Sequence, residues 1–290
     1  MSSFASGSVV LCFIGIVNGG WIFPDEVQFN LSETLNKNCG YSPYTDRVKP
    51  EDGRIFENPW LVLFRHPEEQ EWFCQGTLIT NRHVLTTAIC SEAIVANETI
   101  IILGEYDRSV DLDCTSDNVC ISGSIIERLP YYVIVHPDFQ NDTYEHDIAL
   151  ITLNRMINYN VMPVCLPLTP VIPSLIHAPI VYNTLWTVEH RVPKQIRMQY
   201  ITQIQCQTRL QNLLLLQEGQ LCAQYSKPVD VKISSGSGSP LVIENHDRTF
   251  QFGILSIGLP EAIHLQPYVY VNISTHIKWI HDTVVDGIEQ

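Results

Sequence analysis

The chain has 290 residues, 45% of them hydrophobic and 17% charged, with a formal net charge of −14 and a pI near 5.0. That composition supplies a sizeable core and excludes a disordered chain; the length suits one large all-β domain or two ordinary ones. An excess of acid over base excludes binding to a phosphate backbone, which needs clustered Lys and Arg, so no nucleic-acid partner is expected. The nearest thing to an acidic cluster, Asp111, Asp113 and Asp117, reads as solvated surface.

In chain order, residues 9–17 form an apolar run followed by Asn18, Gly19 and Gly20. The run is too short to span a bilayer and suits the hydrophobic region of a secretory leader cleaved around residues 18–20; no membrane span is expected. No Lys or Arg precedes it, and an ordinary N-terminal strand is the competing reading. Short β-branched or aromatic segments follow at residues 60–64, 99–103, 131–135, 147–153, 250–255 and 268–272, punctuated by Pro and Gly. Many short strands at modest spacing predict an all-β chain of barrels or sandwiches. Residues 209–216, rich in leucine, are predicted as a surface helix before Cys222 whose leucines turn to the core. A terminal amphipathic helix is predicted from Ile277, Ile280 and Val284 on one face, capped by Ser274 or Thr275.

Nine cysteines are an odd number, but Cys12 would depart with the leader. The remaining eight fit paired cysteines in an oxidising compartment, with about a hundred connectivities open to them. Asn30, Asn97, Asn141 and Asn272 each head an Asn-X-Ser/Thr triplet, a signal for glycosylation that adds weakly to a secreted reading.

Four short motifs then occur in a telling order: Leu85-Thr86-Thr87-Ala88-Ile89-Cys90, Asp147-Ile148-Ala149-Leu150, Pro163-Val164-Cys165-Leu166-Pro167 and Ser235-Gly236-Ser237-Gly238-Ser239-Pro240. Together they resemble the trypsin/chymotrypsin-like serine proteases, whose corresponding segments read Leu-Thr-Ala-Ala-His-Cys, Asp-Ile-Ala-Leu, a Pro-Val-Cys-Leu-Pro segment and Gly-Asp-Ser-Gly-Gly-Pro. The matches run across residues 59 to 281, and the chain is most similar to insect clip-type proteases without the clip domain. The resemblance implies two six-stranded Greek-key β-barrels and a C-terminal helix over residues 54–290. A tethered segment would occupy residues 21–53 and the leader residues 1–20. It also implies the bridges Cys39–Cys165, Cys74–Cys90, Cys114–Cys120 and Cys206–Cys222. The family's bridge beside the nucleophile is missing, with Ile233 and a residue near Ala262 in its place.

By the same resemblance, Ser237 stands at the nucleophile and Asp147 at the orienting acid, but Ile89 occupies the position of the general base. A serine hydroxyl needs such a base, and isoleucine neither accepts nor donates a proton. His83 and His146 read as surface or structural residues, not as substitutes. Ser235, Gly236 and Ser237 correspond to the oxyanion loop, where Ser235 replaces a glycine and Gly236 the aspartate that receives the new N-terminus after activation. Arg54-Ile55-Phe56-Glu57-Asn58-Pro59 stands where the activation segment Arg-Ile-Val-Gly-Gly is expected. Val231, Ser256 and Gly258 correspond to the specificity pocket; Val231 replaces a charged residue, and Asp230 lies one register away. No cofactor and no metal is expected.

These departures predict a secreted, extracellular pseudoenzyme that binds proteins: a cascade protease, its substrate or its inhibitor. A hydrolase with an unconventional base and an inert structural or carrier protein are the alternatives, because fold alone does not fix function.

Overall fold

A computed structural model describes residues 15–17, 20–22, 31–44, 46, 48–68, 71–114, 120, 125–158, 161–168, 181–211, 213–229, 231, 233, 236–258 and 267–286. Cys12, Asn30, Asp117, Asp230, Ser235 and Ala262 lie outside them.

β1 (Gly15–Val17), within the segment read as a leader, and β2 (Gly20–Ile22), which starts at its last residue, pair as an antiparallel hairpin. The main body has two sheets. The first contains β3 (Leu61–Arg65), β4 (Trp72–Leu78), β5 (His83–Thr86), β6 (Ile100–Leu103), β7 (Ile126–Arg128), β8 (Pro130–Val135) and β9 (Ala149–Leu153). They run in the order β7-β6-β3-β4-β5-β9-β8. Its two edge strands, β7 and β8, are consecutive in the chain and separated only by Leu129. They are the halves of one bent strand, so the sheet wraps round on itself and counts as the six strands expected. Closure of this kind leaves little open edge for a second chain to pair with.

The second sheet is a closed six-stranded barrel in the order β10-β11-β12-β15-β14-β13. Its strands are β10 (Val181–Leu185), β11 (Lys194–Ile201), β12 (Gln220–Tyr225), β13 (Pro240–Asn245), β14 (Arg248–Ile257) and β15 (Tyr268–Asn272). Each barrel has its own apolar interior. Leu63, Leu85, Ile101, Ile151 and Trp60 fill the first, and Leu185, Ile196, Phe252, Tyr268 and Tyr270 the second. β9 and β15 are buried along their whole length, which explains why they read as continuous apolar runs and not as alternating ones.

Helices are few. α1 (residues 31–35) places Leu31 and Leu35 in the first core, and Asn36 exchanges two hydrogen bonds of 2.8 Å with the backbone of Leu166. The helix before Cys222 differs from expectation. α3 spans Gln203–Leu210, started by a Thr202/Gln205 capping box and ended by Gln211 in the left-handed region. The leucine run beyond it is not helical: Leu213 and Leu215 are exposed, while Leu214 and Leu216 pack beside Cys206. The Gln207 side chain holds that segment by bonding the Leu214 carbonyl and the Leu216 N–H. Terminal helix α4 (Ile277–Asp286) buries Ile277, Ile280 and Val284 as predicted, against the first core. Ser274 and Thr275 do not cap it; their hydroxyls donate to Asn272, one turn earlier.

Asn272 corrects another expectation. It is 5% exposed, and its carbonyl oxygen accepts from the N–H and hydroxyl of Ser274, so its side chain has no room for a glycan. Asn97 and Asn141 are exposed.

Cys39–Cys165, Cys74–Cys90, Cys114–Cys120 and Cys206–Cys222 are all closed, with sequence separations of 126, 16, 6 and 16 residues. Ile233 is buried in the second core, where the absent family bridge would begin. Loop-closure entropy predicts that replacing both cysteines by serine costs about 5 kcal/mol at Cys39–Cys165, about 3 at Cys206–Cys222 and about 2 at Cys114–Cys120. Urea unfolding of the three double variants checks the ranking; a reversed order would show that native-state packing, not chain entropy, governs these bridges.

Candidate functional site

The cleft residues come from three places. α2 (Ala88–Glu92) follows β5 at once, because Thr87 caps it by accepting the Cys90 N–H on its hydroxyl oxygen at 3.1 Å. The Ser237 loop is held at both sides. Gln75 N–H donates to the Ser237 carbonyl at 3.1 Å, and Gly238 N–H donates to Leu255 at 2.9 Å. Gly238 has φ +86°, and a Cβ there would sit 1.9 Å from the Gln75 carbonyl oxygen, so only glycine fits. Asp147 lies just ahead of β9, in the tight turn that begins at His146, φ 53°.

Asp147 is fully buried at 0% exposure. Ile89 N–H donates to its Oδ1 at 3.0 Å, and the Ser256 hydroxyl donates to its Oδ2 at 2.6 Å. Burial pushes the carboxyl above its ordinary value, while the hydrogen bonds from Ser256, Ile89 and Ala88 pull the other way. The Ser256 hydroxyl therefore belongs to the environment of Asp147, a role that the sequence reading of Ser256 as a pocket residue did not include. Ile89 meets Asp147 through its backbone and offers only hydrocarbon beyond it.

Ser237 is half-buried, and among the described residues its hydroxyl has one partner, Thr87 Oγ1, at 3.4 Å. Sequence reasoning missed Thr87, although its signal was present: the motif has threonine where the family segment has alanine. Two alcohols in contact form a hydrogen bond with no base to remove a proton from either.

The surrounding loops are remodelled to match. Gly236 is buried, and a Cβ built on it would lie 2.3 Å from Leu185 Cδ1, so a leucine methyl occupies the space an acidic side chain would enter. Val231 is buried in the second core, its carbonyl accepting from Tyr225 Oη at 2.6 Å. Gly258 is half-buried just after β14.

At the activation-like segment, Arg54 is engaged on every side. Its guanidinium bonds Glu57 at 3.0 and 3.2 Å, reaches Asp46 at 2.6 Å, and lies 3.8 Å over the Tyr44 ring. Glu57 is itself fully buried. It accepts from Arg54 N–H and Gln195, and lies 3.6 Å from Lys49 Nζ. Burial alone would raise the Glu57 carboxyl, but the hydrogen bonds from Arg54 and the charge of Lys49 outweigh it and hold the carboxyl below its usual value. Those same bonds raise the Arg54 guanidinium.

The two histidines weighed as alternative bases have partners elsewhere. His83 is buried on β5, its Nδ1 2.8 Å from Thr80 Oγ1, and burial lowers it to about 4. His146 joins His136 and His276 in a cluster.

Among the described residues, no helix is long and apolar enough to cross a membrane. The family model Trypsin matches residues 48–280. CLIP domain-containing serine protease B10 of Anopheles gambiae is 30% identical over 90% of this chain and 76% of its own length. Phenoloxidase-activating factor 1 of Holotrichia diomphalia is 27% identical over 87% of this chain and 74% of its own. The crystal structure of Drosophila Grass clip serine protease of the Toll pathway overlays with a TM-score of 0.74 and 24% identity, covering 90% of this chain and 78% of that one. The last likeness supports the double-barrel fold alone. With the family profile spanning both barrels and a 30% identical relative covering most of the chain, this protein belongs to the trypsin family of serine proteases and is related to the insect CLIP-domain proteases.

Proposed function

We propose that this protein is a secreted, catalytically silent member of the trypsin family that works by binding a protein of an extracellular protease cascade. One observation carries the reading. Where a general base would stand between Asp147 and Ser237, the chain has Ile89, and the Ser237 hydroxyl is turned to Thr87. The buried Asp147 carboxylate is satisfied by neutral donors, so it holds no imidazolium in place. The filled space beside Gly236 and the engaged Arg54 point the same way: the first leaves no acidic acceptor for a new N-terminus, and the second ties down the residue at which activation cleavage would occur. The relatedness to CLIP proteases and to phenoloxidase-activating factors supports a cascade setting.

The test has three arms. A fluorophosphonate probe is expected to leave the purified protein unlabelled; labelling that disappears in Ser237→Ala would establish a working nucleophile and overturn the proposal. Native pull-down from extracellular fluid is expected to recover a protease, a protease substrate or a protease inhibitor. Cleavage beside Arg54 is expected to leave both partner affinity and hydrogen exchange over residues 231–240 unchanged. A large change in either would reveal a surviving activation switch.

A further inference from the structure

Three imidazoles converge from three parts of the chain: His136 just after β8, His146 beside Asp147, and His276 just ahead of α4. Their ligand atoms all lie within 4.8 Å of one another. His146 Nδ1 and His276 Nε2 are 3.0 Å apart, while His136 stacks on His146 with centroids 4.6 Å apart and stands edge-on to His276 at 5.3 Å. We propose that His136, His146 and His276 form a binding site for a divalent transition-metal ion of the zinc class.

Three features support a site rather than a chance stack. First, the His146–His276 nitrogen pair at 3.0 Å is close to what a metal needs, with the His136 nitrogen within 4.8 Å of both: zinc–nitrogen bonds of about 2.0–2.1 Å in tetrahedral geometry put ligand nitrogens about 3.3 Å apart. Second, the buried ring is already oriented. His276 Nδ1–H donates to the Asn272 carbonyl at 2.9 Å, which places the lone pair on Nε2, facing His146. Such an outer hydrogen bond is what fixes the tautomer of a ligating histidine. Third, His146 is held in the left-handed backbone region at φ 53°, a conformation uncommon for a residue with a side chain. Its other nitrogen, Nε2, lies 4.0 Å from Glu145 Oε1, an outer carboxylate on the far side of the ring.

Two of the ligands must yield something. With the His276 lone pair on Nε2, the 3.0 Å contact makes His146 Nδ1 the N–H donor, so metal entry requires the other His146 tautomer, with its proton on Nε2 beside Glu145. His136 Nδ1 accepts the Asp138 N–H at 3.2 Å, a long hydrogen bond in an exposed turn, which is given up where that nitrogen ligates. An all-imidazole donor set selects zinc, copper, nickel or cobalt over calcium and magnesium, which take oxygen ligands. A bound ion would join the β8–β9 loop to the residue that starts the terminal helix, and so pin α4 onto the first barrel.

The test uses chelator-treated, purified protein. Titration calorimetry with zinc chloride is expected to give one ion per chain, with a rise in melting temperature, and calcium chloride is expected to give neither. Cobalt(II) is expected to develop the visible d–d bands of a nitrogen-ligated site. His146→Asn is a clean variant because asparagine tolerates φ above zero and the position is partly exposed. It and His136→Asn are each expected to keep the metal-free melting temperature and to weaken zinc binding at least tenfold. Absence of stoichiometric binding would mean that the three rings are only a hydrogen-bonded stack. Binding unchanged in both variants would place the ion on others of the ten histidines. Either result overturns the site.

Discussion

Ile89→His is expected to leave turnover on peptide esters within about tenfold of the wild-type background, although it restores the residue type of a general base. In a working triad, losing the histidine costs on the order of 10⁶ in turnover, and the members act as a unit, so one returned part recovers little. Here the returned imidazole would meet a Ser237 hydroxyl engaged by Thr87 and an Asp147 whose two oxygens already accept from Ile89 N–H and Ser256. The oxyanion loop also remains unordered by any ion pair, because Gly236 has no charge and Leu185 fills the space beside it. Both cationic and apolar ester substrates have to be tried, since Val231 offers no carboxylate to a basic side chain. A gain of about a thousandfold by the single variant would show that the other departures matter little. Adding Thr87→Ala should then help further if the threonine contact is what restrains the serine.

Glu57→Gln is expected to destabilise the protein by about 3 kcal/mol at neutral pH, the lower end of what removing one member of a buried ion pair costs. The glutamine keeps the shape but leaves Lys49, almost wholly buried, with only Glu244 at 2.7 Å as an ionic partner, and leaves Arg54 with Asp46. The pH dependence has a definite sign. The folded Glu57 carboxyl is held below its ordinary value of 4.5, so its contribution is complete above that value and lost as pH falls through the folded one. The gap between wild type and variant in urea unfolding should therefore be constant from pH 6 to 8 and close below about pH 4. A gap under about 0.5 kcal/mol at neutral pH, or one that widens in acid, would show that the network carries no such load. The same cluster gives Arg54 a structural task, which is why a protease attacking that bond has to break the Glu57, Asp46 and Tyr44 contacts first.

Much of this molecule was legible in the chain. The order of four motifs gave the family, the apolar runs gave β3, β6, β8, β9, β14 and β15, and the 3.6-residue spacing of Ile277, Ile280 and Val284 gave the terminal helix with the correct buried face. Several of the strands that escaped notice bury polar residues. β11 buries Lys194 and Gln195, and β4 buries Gln75 and Thr77, because those groups find partners within the fold: Lys194 pairs with Asp52, Gln195 with Asn58 and Glu57, Gln75 with Trp186, and Thr77 with Gln251. Hydrophobic periodicity has no means of seeing a buried polar residue whose partner lies a hundred residues away. The leucines after Leu210 misled because their helix propensity is a weak guide: α3 starts earlier, at the Thr202/Gln205 capping box, and ends at Gln211, while Leu214 and Leu216 pack beside Cys206 and Cys222 outside any helix.

The candidate site divides along the same line. A replaced side chain is visible in one dimension, so Ile89, Gly236 and Val231 could be singled out from the motifs alone. What fills the vacated role is a matter of approach through space. Only the tertiary structure sets Thr87 against Ser237, Ser256 against Asp147, Leu185 against Gly236, and Glu57 between Arg54 and Lys49. The three histidines are the extreme case, since His136 and His276 are separated by more than one barrel of sequence and meet because α4 folds back onto the first core. Residue type is written in the chain, but a hydrogen bond, an ion pair or a ligand set exists only where folding brings two distant types within about 3–4 Å of each other.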